Sequence, residues 1–154
     1  LPFIGTDGFY AEPGTGNEPI QLPFGKVGTL VCNESMVSSA STDLTRNGAD
    51  FLVNISNDGW FSQSPLLIKQ HFYNARFRAV ENRRDVIVNS NNGITGQIKA
   101  DGTLINVSRD TVSTVKQFQV QLSKDISFYA RFPWATLALS LLIIGISFFS
   151  GKKQ

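Results

Sequence analysis

Cysteine is almost missing from this chain: there is one, Cys32, in 154 residues. A single cysteine can close no internal disulfide. With one histidine, His71, beside it, a zinc site built from the usual Cys and His ligands is not expected either, and nothing else in the sequence asks for a cofactor. Charge of one sign is also scarce. Fourteen Lys+Arg against twelve Asp+Glu leave a formal +2, with no block of like charge, so nucleic acid is not an expected partner. Internal repeats and low-complexity tracts are absent. What remains is a chain with 42% hydrophobic and 17% charged residues, the profile of a globular domain with one modest core.

One absence is local. From Phe132 to Gly151, FPWATLALSLLIIGISFFSG, there is no charged residue over 20 positions. A helix of that length at about 1.5 Å per residue matches a hydrocarbon core of roughly 30 Å. Arg131 precedes the run, Lys152 and Lys153 follow it, and Phe132 and Trp134 suit an interface. A buried C-terminal helix is the other reading, with Ser140, Gly145 and Ser147 in its favour; the lack of any polar face favours the membrane. The expected organisation is a domain over 1–130, a transmembrane helix over 131–151 and a short basic tail over 152–154. The chain opens on LPFIG, without Met or a signal peptide, and reads as a C-terminal fragment or a processed product.

Residues 1–26 are rich in Gly and Pro and read as a lead-in. Val27–Cys32 is predicted as a strand, 34–47 as a helix stopped by Asn47-Gly48, and Phe51–Ser56 as a second strand running into the turn Asn57-Asp58-Gly59. The clearest helix follows, capped by Ser64 with Pro65 at its first position. Ile68, Phe72, Ala75 and Ala79 form its buried stripe. Val86–Ser90 and Ile94–Ile98 are further strands around Asn91-Asn92-Gly93, and Asp101-Gly102 is a hairpin turn. In QFQVQL, Phe118, Val120 and Leu122 alternate with glutamines, which predicts a strand with one wet face. The order of elements gives an α/β layer structure.

Cys32 lies at the carboxyl end of a predicted strand, the edge where open α/β sheets gather ligands. A helix starting there would add N–H groups and a positive dipole end. Position alone leaves two readings: a nucleophile, or a buried and inert thiol. A Cys32–His71 dyad is possible in principle and has no further support.

The neighbouring motifs go beyond position. LVCNES at 30–35, GADFLVNISNDGWFSQS at 48–64, QHFYNARFRAVENRR at 70–84 and NSNNGITGQI at 89–98 stand in the order found in the nitrilase, or carbon-nitrogen hydrolase, superfamily. Within it the chain most resembles the membrane-bound apolipoprotein N-acyltransferases, over roughly residues 25–150. The resemblance implies the C-terminal part of an αββα sandwich and a Glu–Lys–Cys triad with Cys32 as nucleophile and Glu34 as a supporting carboxylate. Asn33 stands where the family often has tyrosine. The Glu and Lys of the triad lie upstream in the family, so the fragment alone is expected to be inactive. Lys26, six residues before Cys32 on the same strand, is a poor substitute.

Thioester chemistry needs a thiolate, a base, and a cation or N–H donors at the oxyanion, which is why the missing pair matters. Asn57, Asp58 and Gly59 are expected to form a turn in which Asp58 accepts backbone N–H groups. Trp60 and Phe61 are expected to pack near the site, as core or as pocket wall. Asn92 belongs to a tight backbone turn beside the pocket, and Arg78 and Glu81 form a structural pair three residues apart. The three glycosylation patterns, at Asn33, Asn54 and Asn106, are read as chance. By resemblance, the expected partners are a phospholipid acyl donor, a lipidated apolipoprotein acceptor and a bacterial inner membrane, with the domain on the periplasmic side. A membrane-tethered amidase ending on water, and a non-catalytic remnant, are the alternatives.

Overall fold

The computed structural model describes residues 14, 16–61, 64–110 and 112–150. These form one six-stranded sheet in sequential order, β1 (Ile20–Leu22), β2 (Gly25–Val31), β3 (Phe51–Asn57), β4 (Val86–Asn91), β5 (Thr95–Ile98) and β6 (Leu104–Ser108). The β2, β3 and β4 strands run parallel, and the remaining neighbours pair antiparallel. Parallel neighbours need crossovers. Helix α1 (Ser38–Arg46) joins β2 to β3, and α2 (Pro65–Asn82) joins β3 to β4.

Strand alternation decides which face the helices cover. Leu30, Leu52, Val86, Val88 and Ile98 point to one side and pack with Leu44 of α1 and Phe72, Ala75 and Ala79 of α2. The predicted α2 stripe is therefore the core face, and Ser64 caps the helix by accepting from the Leu67 N–H. Gly28 permits the close approach of α1. A Cβ there would sit 2.6 Å from Leu52 Cδ2 and 3.1 Å from both Ala49 and Leu44, so alanine would collide with packed carbon. The other sheet face carries Val31 and Ile55, 58% and 49% exposed. The observed fold is α/β, with α1 and α2 packed on one face of the sheet.

Several boundaries differ from expectation. The predicted lead-in contains β1, which pairs with β2 through Ile20 and Val27; residues 1–13 of that lead-in lie outside the described set. The helix expected over 34–47 is two pieces, a 3-10 turn over Cys32–Met36 and then α1, broken at extended Val37. QFQVQL is not a strand. Its backbone groups are claimed by side chains instead of a ladder: Gln121 N–H donates to Asp85 Oδ2 at 2.9 Å, and Gln97 Nε2 donates to the Gln119 carbonyl at 2.8 Å. Two buried charges unremarked in the sequence organise this segment. The Arg84 guanidinium donates to the carbonyls of Ala49 and Asp125, both at 2.7 Å. The Asp85 carboxylate accepts from Gln97, Lys99, Ala100 and Gln121.

The expected span over 131–151 is not shown as one continuous helix. A short helix, α3 (Phe128–Arg131), is followed by a turn through Phe132, Pro133 and Trp134, and only then by α4 (Ala135–Ser150). The turn consumes the start of the uncharged run. Sixteen residues reach about 24 Å, short of a bilayer core. Among the described residues no helix is long and apolar enough to cross a membrane. Gly151 and the basic tail, Lys152 and Lys153, lie outside the described set.

Candidate active site

Register brings three distant motifs to one edge. Val31 pairs with Ile55, and Asn57 pairs with Asn91, so the carboxyl ends of β2, β3 and β4 end together. Cys32 follows β2, Asp58 follows β3, and Asn92 follows β4. This is the edge at which parallel sheets bind ligands.

Cys32 has left-handed backbone, φ 52°, which non-glycine residues adopt rarely and at a cost of order 1 kcal/mol or more. The chain thus turns sharply from strand into the 3-10 turn, and the thiol, half-buried, stands at the bend. The helix expected from residue 34 begins only at Ser38. Helix-dipole support for the thiol is therefore not supplied by α1. Glu34 folds back and accepts from the Val31 N–H at 2.7 Å, which fastens the turn to the strand end. Asn33 is exposed. Lys26 opens the other end of the strand, roughly 20 Å away by strand rise, beside Gly48.

Asp58 is buried but does not cap the turn as expected. That task falls to Asn57, whose Oδ1 accepts from the Gly59 N–H at 3.0 Å. Asp58 Oδ1 instead lies 2.9 Å from His71 Nδ1 and accepts from Ser56 Oγ at 3.2 Å. His71, also buried, places Nε2 3.1 Å from the carbonyl oxygen of Cys32. The dyad considered from sequence is thus corrected: the imidazole bonds the cysteine's backbone. The spacing of thirteen residues between Asp58 and His71 gave no sign of this contact, which exists only because α2 returns across the strand ends.

The turn at Asn91-Asn92-Gly93 closes over the same carboxylate. Asn92 has φ 60°, and a Cβ on Gly93 would lie 2.2 Å from Asp58 Oδ2. Only glycine lets that backbone pass. Asn92 itself is exposed, with its amide near Gly59. Phe61 sets its ring edge-on to His71 at 6.0 Å. Trp60 is 89% exposed and is neither core nor wall among the described residues, because the 3-10 turn over Asp58–Phe61 points it outward. Arg78 and Glu81 pair as predicted, at 2.8 Å. Asn54 is fully buried, which excludes glycosylation there in the folded chain. Among the described residues no cluster of His, Cys, Asp and Glu is arranged to hold a metal ion.

A family model, that of carbon-nitrogen hydrolases, matches residues 5–124. The chain belongs to the carbon-nitrogen hydrolase family. Among the relatives of this carbon-nitrogen hydrolase chain, the apolipoprotein N-acyltransferase of Thermotoga maritima is 32% identical over 124 residues, 80% of this chain and 24% of that protein. That of Geobacter metallireducens is 34% identical over 141 residues, 89% and 27% respectively. The chain therefore spans about a quarter of the length of these relatives. A crystal structure of a carbon-nitrogen hydrolase from Helicobacter pylori superposes with a TM-score of 0.58 at 20% identity, over 65% of this chain and 42% of that one. At that identity the likeness speaks for the fold alone.

Proposed function

We propose that this chain is the C-terminal part of an apolipoprotein N-acyltransferase and carries its nucleophile, Cys32. The observation that supports this most is the bend at Cys32, left-handed and placed at the shared edge of three parallel strands. In this reading Cys32 Sγ attacks the ester carbonyl of a phospholipid. The C–S bond forms, the C–O bond breaks, and the lysophospholipid leaves as an alcohol with a proton. The α-amino group of a lipoprotein's lipidated N-terminal cysteine then attacks the thioester, an amide forms, and the thiol returns.

The base and the cation for these steps come, in this reading, from the upstream Glu and Lys, so the 154 residues alone carry no transfer activity. Glu34 acts by holding the turn rather than by proton transfer. Asn57, Asp58, Phe61 and Asn92 shape the edge, with Trp60 free to meet an incoming chain. A bilayer location, with the domain on the periplasmic side of an inner membrane, belongs to this reading, and the apolar surface of α4 supports the bilayer part of it. Leu137, Leu139, Leu141, Leu142, Ile143, Ile144 and Ile146 are all exposed, and four consecutive ones leave no polar face. Such a helix is at home in hydrocarbon.

The test is transfer by the intact protein in membranes, with labelled phospholipid and lipoprotein acceptor. Cys32→Ala and Cys32→Ser are each expected to remove transfer to background. Full transfer by Cys32→Ala would overturn the assignment.

A further inference from the structure

Cys32 is held in an unfavourable backbone conformation, and such residues persist only where their surroundings over-determine them. Two donors meet its carbonyl oxygen. Ser35 Oγ donates at 3.1 Å from within the 3-10 turn, and His71 Nε2 stands at 3.1 Å from α2. A carbonyl only accepts, so Nε2 carries the hydrogen of that bond. The other ring nitrogen rests on Asp58, itself fixed by Ser56. The ring can neither rotate nor retreat without breaking a buried bond at each end. Gly93 runs so close to Asp58 that a Cβ there would lie 2.2 Å from Oδ2.

We propose that His71, anchored by Asp58, is a positioning residue that clamps the Cys32 carbonyl and so keeps the nucleophile's backbone left-handed. The inference rests on the reading of Cys32 as nucleophile and adds how its sulfur is aimed. φ fixes the direction of the Cα–Cβ bond relative to the strand. If the carbonyl is released, the residue relaxes towards ordinary φ and Sγ turns off the line of attack. The clamp touches no substrate, so its loss affects the chemical step and not binding.

Two replacements of His71 separate this from a bland structural role. Glutamine can place its amide Nε2 donor at the far end, near the position of the imidazole Nε2 and facing the Cys32 carbonyl. Asparagine reaches only the near position, facing Asp58. Each keeps one of the two buried bonds, so similar melting temperatures are expected for His71→Gln and His71→Asn. Transfer by the intact protein in membranes should distinguish them. His71→Asn is expected to lose about a hundredfold in kcat with KM unchanged, the scale of a misplaced reacting group. His71→Gln should recover most of that. Equal kcat in the two variants, or a change confined to KM or melting temperature, would overturn the clamp.

Ser35→Ala removes the other donor from the same carbonyl while leaving the histidine in place. It is expected to lower kcat about tenfold at constant KM, and an unchanged kcat counts against the clamp even if both histidine variants fold poorly. Cys32→Ala in the same assay keeps the two failures apart. If it still transfers, the nucleophile reading fails. If it is inactive while His71→Gln and His71→Asn are alike, only the clamp fails.

Discussion

Among the described residues, four that are not glycine have left-handed backbone, Cys32, Arg83, Asn92 and Asn106. Two have local reasons: Arg83 ends α2, and Asn106 lies in edge strand β6. Cys32 and Asn92 instead stand at the carboxyl edge of the parallel strands, where strain accompanies function. Away from that edge, Glu81 offers a test of the packing around α2. Burial raises its pKa above the ordinary glutamate value, with Arg78 and the Ser38 hydroxyl pulling the other way. A carboxyl with a raised folded-state pKa favours folding below its unfolded value, and that contribution is lost as pH rises through the raised one. Urea unfolding at a series of pH values should therefore show the stability of wild type, relative to Glu81→Gln, falling as pH climbs from the ordinary glutamate value. A relative stability that grew over that window would contradict the burial.

At the scale of elements, α2 does most of the positioning, since it fills the core with one stripe and carries His71 across the strand ends. Phe72 is fully enclosed there, so Phe72→Ala is expected to cost about 3–5 kcal/mol in a denaturant titration; a loss under 1 kcal/mol would mean the stripe is not the core. This helix was legible because its signals are local: a Ser-Pro start and apolar residues at spacings of four, three and four. β2 was legible from its apolar, β-branched run, and β3 and β4 from such runs and the Asn-Asp-Gly and Asn-Asn-Gly turns that end them. QFQVQL misled because alternation reports which side is wet, whereas a ladder needs a free neighbour, and here Asp85 and Gln97 had taken the backbone groups. The break at Val37 was likewise hidden, since Ser35 and Glu34 spend their side chains on the turn.

For the whole molecule, the nitrilase-like α/β fold and the edge position of Cys32 could be read from motif order, but the Asp58–His71–Cys32 chain could not. Cys32 and His71 are 39 residues apart, Asp58 and His71 thirteen, and the three meet only through register. The uncharged run was legible as apolar but not as to how much of it is helix, because the turn at Pro133 takes its first residues. If α4 is held against a bilayer, replacing Leu141 and Ile144 with lysine should shift the intact protein towards the alkaline-carbonate supernatant, because two charges would take the place of apolar contacts with hydrocarbon. Unchanged retention would show that α4 is not the anchor. The central claim, that the sulfur of Cys32 carries the acyl group, is tested most directly by incubating the intact protein with phospholipid while withholding the amine acceptor, then mapping peptides by mass spectrometry. An acyl mass on the Cys32 peptide, lost on hydroxylamine treatment and absent from Cys32→Ser at that lability, is the expected result; unmodified Cys32 in a preparation that transfers once acceptor is added would contradict it.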